Sequence, residues 1–119
     1  MPFKKMLTEL VEAVPGANGA ILADWEGEAV EQFTRGDAFE IKVTAAHWVI
    51  LLYQLKGVQQ KLFPGPVHEA LITTDQQHVI VGALGEDYAL VMTMDQGALP
   101  LVALKNFRET AALLMKEIY

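Results

Sequence analysis

The sequence has 119 residues, of which 52% are hydrophobic and 20% are charged, and it contains no cysteine. This composition excludes intrinsic disorder, disulfide scaffolds and cysteine-ligated metal sites, and it predicts a single domain spanning residues 1–119 in a reducing cytoplasm. The formal net charge of −6 argues against nucleic acid as a partner, because DNA-binding surfaces must neutralise phosphates.

Apolar residues at helical spacing predict an amphipathic first helix over residues 3–14, which Pro15 and Gly16 end. Charged residues interrupt this segment, so it is not expected to be a signal peptide. A short apolar run, Gly19–Asp24, predicts a buried strand, and residues 29–33 predict a second strand after a tight turn.

The longest predicted helix, Phe39–Leu62, has apolar residues on two opposite faces. Its uncharged run, residues 43–55, is shorter than the roughly 20 residues that cross a bilayer, so no membrane insertion is expected. A helix of this kind must be covered on both sides, by its own fold or by a second copy of the chain. One face comprises Ile41, Ala45, Trp48, Leu52 and Leu55. The opposite face, the predicted dimer interface, comprises Val43, Ala46, Ile50, Tyr53 and Gly57.

Proline and glycine at residues 63–66 predict a break, after which the chain is rich in strands. Short turns separate apolar runs at 67–74, 78–84 and 88–94, which predicts an antiparallel meander. Pro100 suits the first turn of a final amphipathic helix. The order α-β-β-α-β-β-β-α predicts an α+β fold, with a single five-stranded antiparallel sheet flanked by helices.

Two stretches of the sequence resemble the roadblock (dynein light-chain) family. Leu7–Val30, LTELVEAVPGANGAILADWEGEAV, is similar to the family's opening helix, turn and hairpin, and Ala70–Ala98, ALITTDQQHVIVGALGEDYALVMTMDQGA, to its meander. The resemblance implies a profilin-like sandwich and a homodimer that pairs the second helices antiparallel and joins two sheet edges. It also implies a small Ras-like GTPase as partner, whose hydrolysis or localisation the protein would modulate, as the bacterial gliding-motility type does. A scaffold or adaptor dimer with no effect on nucleotide turnover is the alternative, and a small-molecule sensor is a third hypothesis.

The inventory of reactive groups predicts that the protein is not an enzyme. There is no serine or cysteine nucleophile and no phosphate-binding loop, and the three histidines lie on separate elements, so neither a cofactor nor a metal is expected. The sequence leaves open a pair of carboxylates acting as acid and base, although nothing in it positions one. His68 and His78 flank a predicted turn, where they could become cross-strand neighbours.

Polar positions on the long helix are the predicted partner-binding residues, because they would line the upper surface of a paired-helix dimer. An ordinary solvated stripe is the alternative. Trp25, at the tip of the first hairpin, either contacts a partner or folds back onto a neighbouring helix. Arg35, in the loop at residues 34–37, is the residue that could be inserted into a GTPase active site. The polar helix positions are Glu40, Lys42, His47 and Lys56.

Overall fold

The computed structural model describes residues 2–62 and 65–119, so the predicted break at 63–66 lies partly outside the described residues. Within them, three helices and five strands follow the predicted order, and the α+β architecture with one five-stranded antiparallel sheet is confirmed. The elements are α1 (Phe3–Ala13), β1 (Ala17–Asp24), β2 (Ala29–Thr34), α2 (Ala38–Leu62), β3 (Glu69–Thr73), β4 (Gln77–Leu84), β5 (Tyr88–Asp95) and α3 (Pro100–Ile118).

The strand order across the sheet is β2-β1-β5-β4-β3, and every neighbouring pair is antiparallel. β3, β4 and β5 form the predicted meander. β1 joins β5 through a pairing between distant parts of the sequence, with Ile21 opposite Val91. This pairing places β1 and β5 inside the sheet and leaves β2 and β3 as its two edges.

Alternation of side chains along the central strands divides the core into two layers. Leu22 and its partner Leu90 face α1 and α3, whereas the neighbouring pair of Ile21 and Val91 faces α2. Two helices thus cover one face of the sheet, and one helix covers the other. α2 packs mainly over β1, β2, β4 and β5, so the edge strand β3 lies largely outside its footprint.

A capping interaction defines the start of α2. Asp37 Oδ1 accepts hydrogen bonds from the backbone N–H groups of Phe39 and Glu40, at 2.8 and 3.0 Å. These two donors have no partner within the helix, so the cap stabilises its first turn. The preceding loop is held to β1, because the Arg35 N–H donates to the Asn18 carbonyl at 2.8 Å. α2 therefore begins beside the first residues of β1.

The buried face of α2 differs in part from the predicted one. Of the five residues on the face opposite the predicted dimer interface, three are buried, Trp48 is half-buried and Leu55 is exposed, while Val49 is buried in addition. At 100° per residue, the buried arc is turned by about 40° toward Val49. The reason is that the helix is apolar on both sides, so its period alone does not determine which arc meets the sheet. The three residues buried as predicted are Ile41, Ala45 and Leu52.

The expectation that His68 and His78 become cross-strand neighbours is wrong. The β3–β4 turn places Thr73 opposite His78, whereas the His68 carbonyl accepts a hydrogen bond from the Ala83 N–H at 2.8 Å. His78 is buried between two partners. Its Nε2–H donates to the Gln96 carbonyl at 2.9 Å, and its Nδ1 accepts the Thr73 hydroxyl at 2.8 Å. Both of its ring nitrogens therefore form hydrogen bonds within the fold.

Candidate interaction surface on the second helix

The outward face of α2 is apolar and exposed. Phe39 is 75% exposed and Tyr53 is 60% exposed, although large aromatic side chains are usually well buried. Several large apolar side chains exposed on one helix typically mark a protein interaction site. The exposed apolar residues of α2 are Phe39, Val43, Ile50, Leu51, Tyr53, Leu55 and Val58.

Four of the five predicted interface residues lie on the exposed part of α2. Ala46 is half-buried, because it contacts the β1–β2 turn of its own chain. A Cβ atom at Gly27 would lie 2.9 Å from the Ala46 Cβ, so neither position has room for a larger side chain. At Gly57, by contrast, a Cβ would meet no atom of the described residues within 4 Å, which would let a second helix approach closely. The four exposed residues are Val43, Ile50, Tyr53 and Gly57.

An apolar groove of about 110 Å³ between α2 and the edge strand β3 is missing from the sequence prediction. The signal that could have found it is the recurrence of Leu51, Leu55 and Val58 along α2, spaced by four and then three residues. This recurrence does not stand out in the sequence, because other apolar residues lie on the neighbouring sides of the same helix. The groove is lined by Trp48, Leu51, Leu52, Leu55, Ala70, Ile72 and Val81.

Trp25 folds back onto α2, which is one of its two predicted positions. Its ring centre lies 5.9 Å from that of Tyr53, with the planes tilted by 48°, and Lys56 Nζ lies 4.7 Å from the Trp25 ring centre. The turn that carries Trp25 is held by Asp24, whose Oδ1 accepts the N–H groups two and four residues later, both at 3.0 Å. The hairpin thereby covers one flank of α2, where its Trp25 contacts Tyr53 and Lys56 of the helix.

The four predicted partner-binding positions of α2 do not form one stripe. At 100° per residue, Lys42 and Lys56 lie about 40° apart on the flank that Trp25 covers, whereas Glu40 and His47 lie about 20° apart on the far side. Phe39, Val43, Ile50 and Tyr53 lie between the two pairs, whereas Leu51, Leu55 and Val58 lie on the groove side of α2, beside or beyond Glu40 and His47. The structure thus brings Lys56 together with Trp25 and separates both from Glu40 and His47.

The two edge strands of the sheet differ in how well they are protected. On β2, Lys4 Nζ donates to the Gln32 carbonyl at 2.7 Å and lies 3.9 Å from Glu31. A side chain of α1 therefore already occupies a backbone acceptor of this edge strand, which disfavours pairing with another chain. On β3, an ion pair between Glu69 and Arg108 ties the first residue of the strand to α3. The hydrogen bond and charge of Glu69 raise the pKa of Arg108 above its ordinary value. No other side chain among the described residues bonds to β3 from outside the sheet, so β3 is the edge open to pairing.

The described residues, 2–62 and 65–119, contain no cluster of three or more His, Asp or Glu side chains that could hold a metal ion. In the same residues, no helix is both long and apolar enough to cross a membrane. Arg35 is exposed and forms no ion pair within this part of the chain.

The family model for the Roadblock/LC7 domain matches residues 3–93 of the sequence. The chain belongs to the Roadblock/LC7 family. Domains of this family are generally regulatory and non-catalytic. A search of curated proteins finds no match.

Solved structures share this fold at low sequence identity. The Roadblock/LC7 domain from Streptomyces avermitilis is 16% identical, with a TM-score of 0.87 and coverage of 97% of this chain and 96% of that chain. The gliding protein MglB from Thermus thermophilus is 16% identical, with a TM-score of 0.83 and coverage of 94% and 84%. An MglB structure described as having a tetrameric arrangement gives the same score and coverage at 17% identity. Acanthamoeba castellanii profilin IA, 13% identical with a TM-score of 0.58 over 99% and 97% of the two chains, confirms the profilin-like sandwich.

Proposed function

We propose that the protein is a homodimeric regulatory module that binds a small Ras-like GTPase and modulates its hydrolysis or localisation. The observation that carries the proposal is the exposed apolar face of α2, which the described elements of the chain leave uncovered. Membership of the Roadblock/LC7 family supports a regulatory role, and the tetrameric arrangement of one MglB structure supports self-association. In this proposal residues 1–119 form one domain that acts in the cytoplasm, without enzymatic activity of its own.

The proposed dimer uses α2 and the edge strand β3. Helices that paired through their outward faces would use the predicted interface residues. The open β3 edge and the apolar groove beside it favour an adjacent position for the second copy, against Leu51 and Leu55. In that arrangement the two sheets continue across the β3 edges, and much of the outward face stays available to the GTPase. The predicted interface residues are Val43, Ala46, Ile50, Tyr53 and Gly57.

The GTPase would meet an apolar strip with polar residues on both sides. Trp25 adjoins one of these polar borders through its contact with Lys56. Arg35 is the side chain that could act as an arginine finger, whereas the resemblance to roadblock regulators implies that the protein reorganises residues of the GTPase instead. We therefore expect Arg35 to be dispensable. The polar residues that border the strip are Glu40, Lys42, His47 and Lys56.

Size-exclusion chromatography with light scattering tests the dimer. We expect twice the 13.1 kDa mass of one chain at micromolar concentration. Leu51→Asp places a charge in the groove and Ile50→Asp places one on the outward face, so the variant that dissociates identifies the side on which the copies meet. Leu101→Asp, at an exposed position of α3, is the matched control and should leave the mass unchanged. A monomeric wild-type protein would refute the homodimer.

Phosphate release by a Ras-like GTPase from the same organism tests the regulatory role. Faster release in the presence of the protein supports modulation of hydrolysis, whereas stable binding with unchanged turnover supports the scaffold or adaptor. Failure to bind any Ras-like GTPase of that organism would contradict both. Arg35→Ala should retain full stimulation, and a loss would show that the arginine takes part in the chemistry.

A further inference from the structure

A polar cleft of about 200 Å³ lies at the start of α2, where the helix meets the ends of several strands. Its polar walls carry carboxylates, amides and hydroxyls, and none of the lining residues that the structure describes is a lysine, arginine or histidine. The cleft therefore offers many hydrogen-bond acceptors and a negative charge. The polar residues that matter here are Asn18, Asp37, Glu40, Thr44, Gln77 and Thr93.

Thr93 is the observation that points to a ligand. The residue is only 5% exposed and lines the cleft, yet its hydroxyl makes no hydrogen bond with any described residue. The hydroxyl is not among the side-chain atoms that are shut off from solvent without a partner, so its unused hydrogen-bonding capacity faces the cleft. A molecule bound in the cleft would supply the missing partner.

The charges around the cleft select a cation. Asp37 Oδ1 already accepts the N–H groups of Phe39 and Glu40, so the helix donors that could hold an anion are occupied. Neither the Asp37 nor the Glu40 carboxylate forms an ion pair with a described residue. Arg35 lies between two lining residues but does not itself line the cleft. The Glu40 carboxylate and the second oxygen of Asp37 are therefore available to a positive group.

We propose that this cleft binds an alkyl guanidinium or alkylammonium group. A guanidinium donates several N–H groups in one plane, which suits a site with carboxylate, amide and hydroxyl acceptors. The Ile41 side chain also lines the cleft and would contact the alkyl part of the ligand. The group belongs either to a free amine or to an arginine side chain of a partner protein. The site shares Glu40 with the polar border of the apolar strip on α2, but it does not rest on the proposed function.

Calorimetric titration of the full chain with agmatine, a free alkyl guanidinium, tests the site. We expect saturable binding that Glu40→Gln weakens about tenfold and Thr93→Val weakens about threefold or more, because each removes one ligand acceptor. Thr44→Val deletes a hydroxyl that is only half-buried, and it should also weaken binding without disturbing the core. Glu12→Gln removes an exposed charge on α1 and should leave the affinity unchanged, which separates a local contact from the effect of net charge.

Three results would overturn the proposal. They are equal weakening by Glu12→Gln and Glu40→Gln, unchanged affinity in both threonine variants, and saturation of the site by sulfate in place of agmatine. A capped peptide with one central arginine distinguishes the two sources of the group. Tighter binding of the peptide than of agmatine assigns the site to a partner's side chain, and the reverse order assigns it to a free amine.

Discussion

Replacing Gly27 by alanine should destabilise the protein through two separate effects. The glycine has a φ of 90°, a left-handed conformation that costs other residues about 1–2 kcal/mol. The added Cβ would also lie 2.9 Å from the Ala46 Cβ, and overpacking of this kind costs about 1–3 kcal/mol. Asp24 holds the turn through its carbonyl and its side chain, which leaves little freedom to relieve the contact. Together these effects should lower the free energy of unfolding by about 2–5 kcal/mol.

Urea denaturation measures this loss, at one fixed protein concentration because a self-associating protein unfolds in a concentration-dependent manner. Gly36→Ala is the matched control, since its φ is not left-handed and its Cβ would meet only Thr34 Oγ1 at 3.9 Å. Its effect should stay within about 0.5 kcal/mol. Adding Ala46→Gly to Gly27→Ala should recover the part due to the contact, as a coupling energy of about 1–3 kcal/mol. Equal losses in Gly27→Ala and Gly36→Ala, or no coupling, would refute the reasoning.

Two further predictions concern association and pH. Gly57→Ala should stabilise α2 by about 0.5–1 kcal/mol within one protomer, but it should weaken a dimer whose helices meet at Gly57. Sedimentation at several concentrations measures the dimer affinity, and an unchanged affinity excludes Gly57 from the interface. The Tyr119 hydroxyl lies 3.0 Å from the Leu84 carbonyl and 3.1 Å from Asp87 Oδ2, and desolvation raises the pKa of Tyr119. Its stabilising effect is therefore complete below about pH 10 and is lost as the pH rises through the raised pKa. The melting-temperature difference between wild type and Tyr119→Phe should shrink in that range, and a constant difference would contradict the assignment.

Local patterning predicts the elements of this fold but not their contacts. Pro-Gly turns and alternating apolar residues act over a few positions, which is why the order of helices and strands follows from them. The pairing of β1 with β5 and the contact of Trp25 with α2 join distant segments, so no local period specifies them. The rotation of α2 about its axis is not predictable for another reason. Val49 and Leu55 are both apolar, so the helical period does not determine which of them packs against the sheet. The cleft beside Thr93 draws its walls from α2 and four strands, and only the tertiary structure assembles it.

The two flanks of α2 are covered to different extents, and this asymmetry determines where association is expected. On one flank, Trp25 of the chain's own β1–β2 hairpin partly covers Tyr53 and Lys56. On the other flank, Leu51 and Leu55 border an apolar groove beside the open edge strand β3. An open edge strand pairs readily with another chain, and a second copy at β3 would satisfy its backbone groups and fill the groove in one interface.

Pairing at β2 would first have to break the hydrogen bond from Lys4 to the Gln32 carbonyl. Contact through the outward face of α2 alone would bury apolar side chains but leave the backbone groups of β3 to water. Pairing at β3 therefore both satisfies backbone hydrogen-bonding groups and buries exposed apolar side chains, which neither alternative does. For this reason we expect Leu51→Asp to dissociate the dimer more completely than Ile50→Asp. The opposite order would place the contact on the outward face and leave the β3 edge for a different partner.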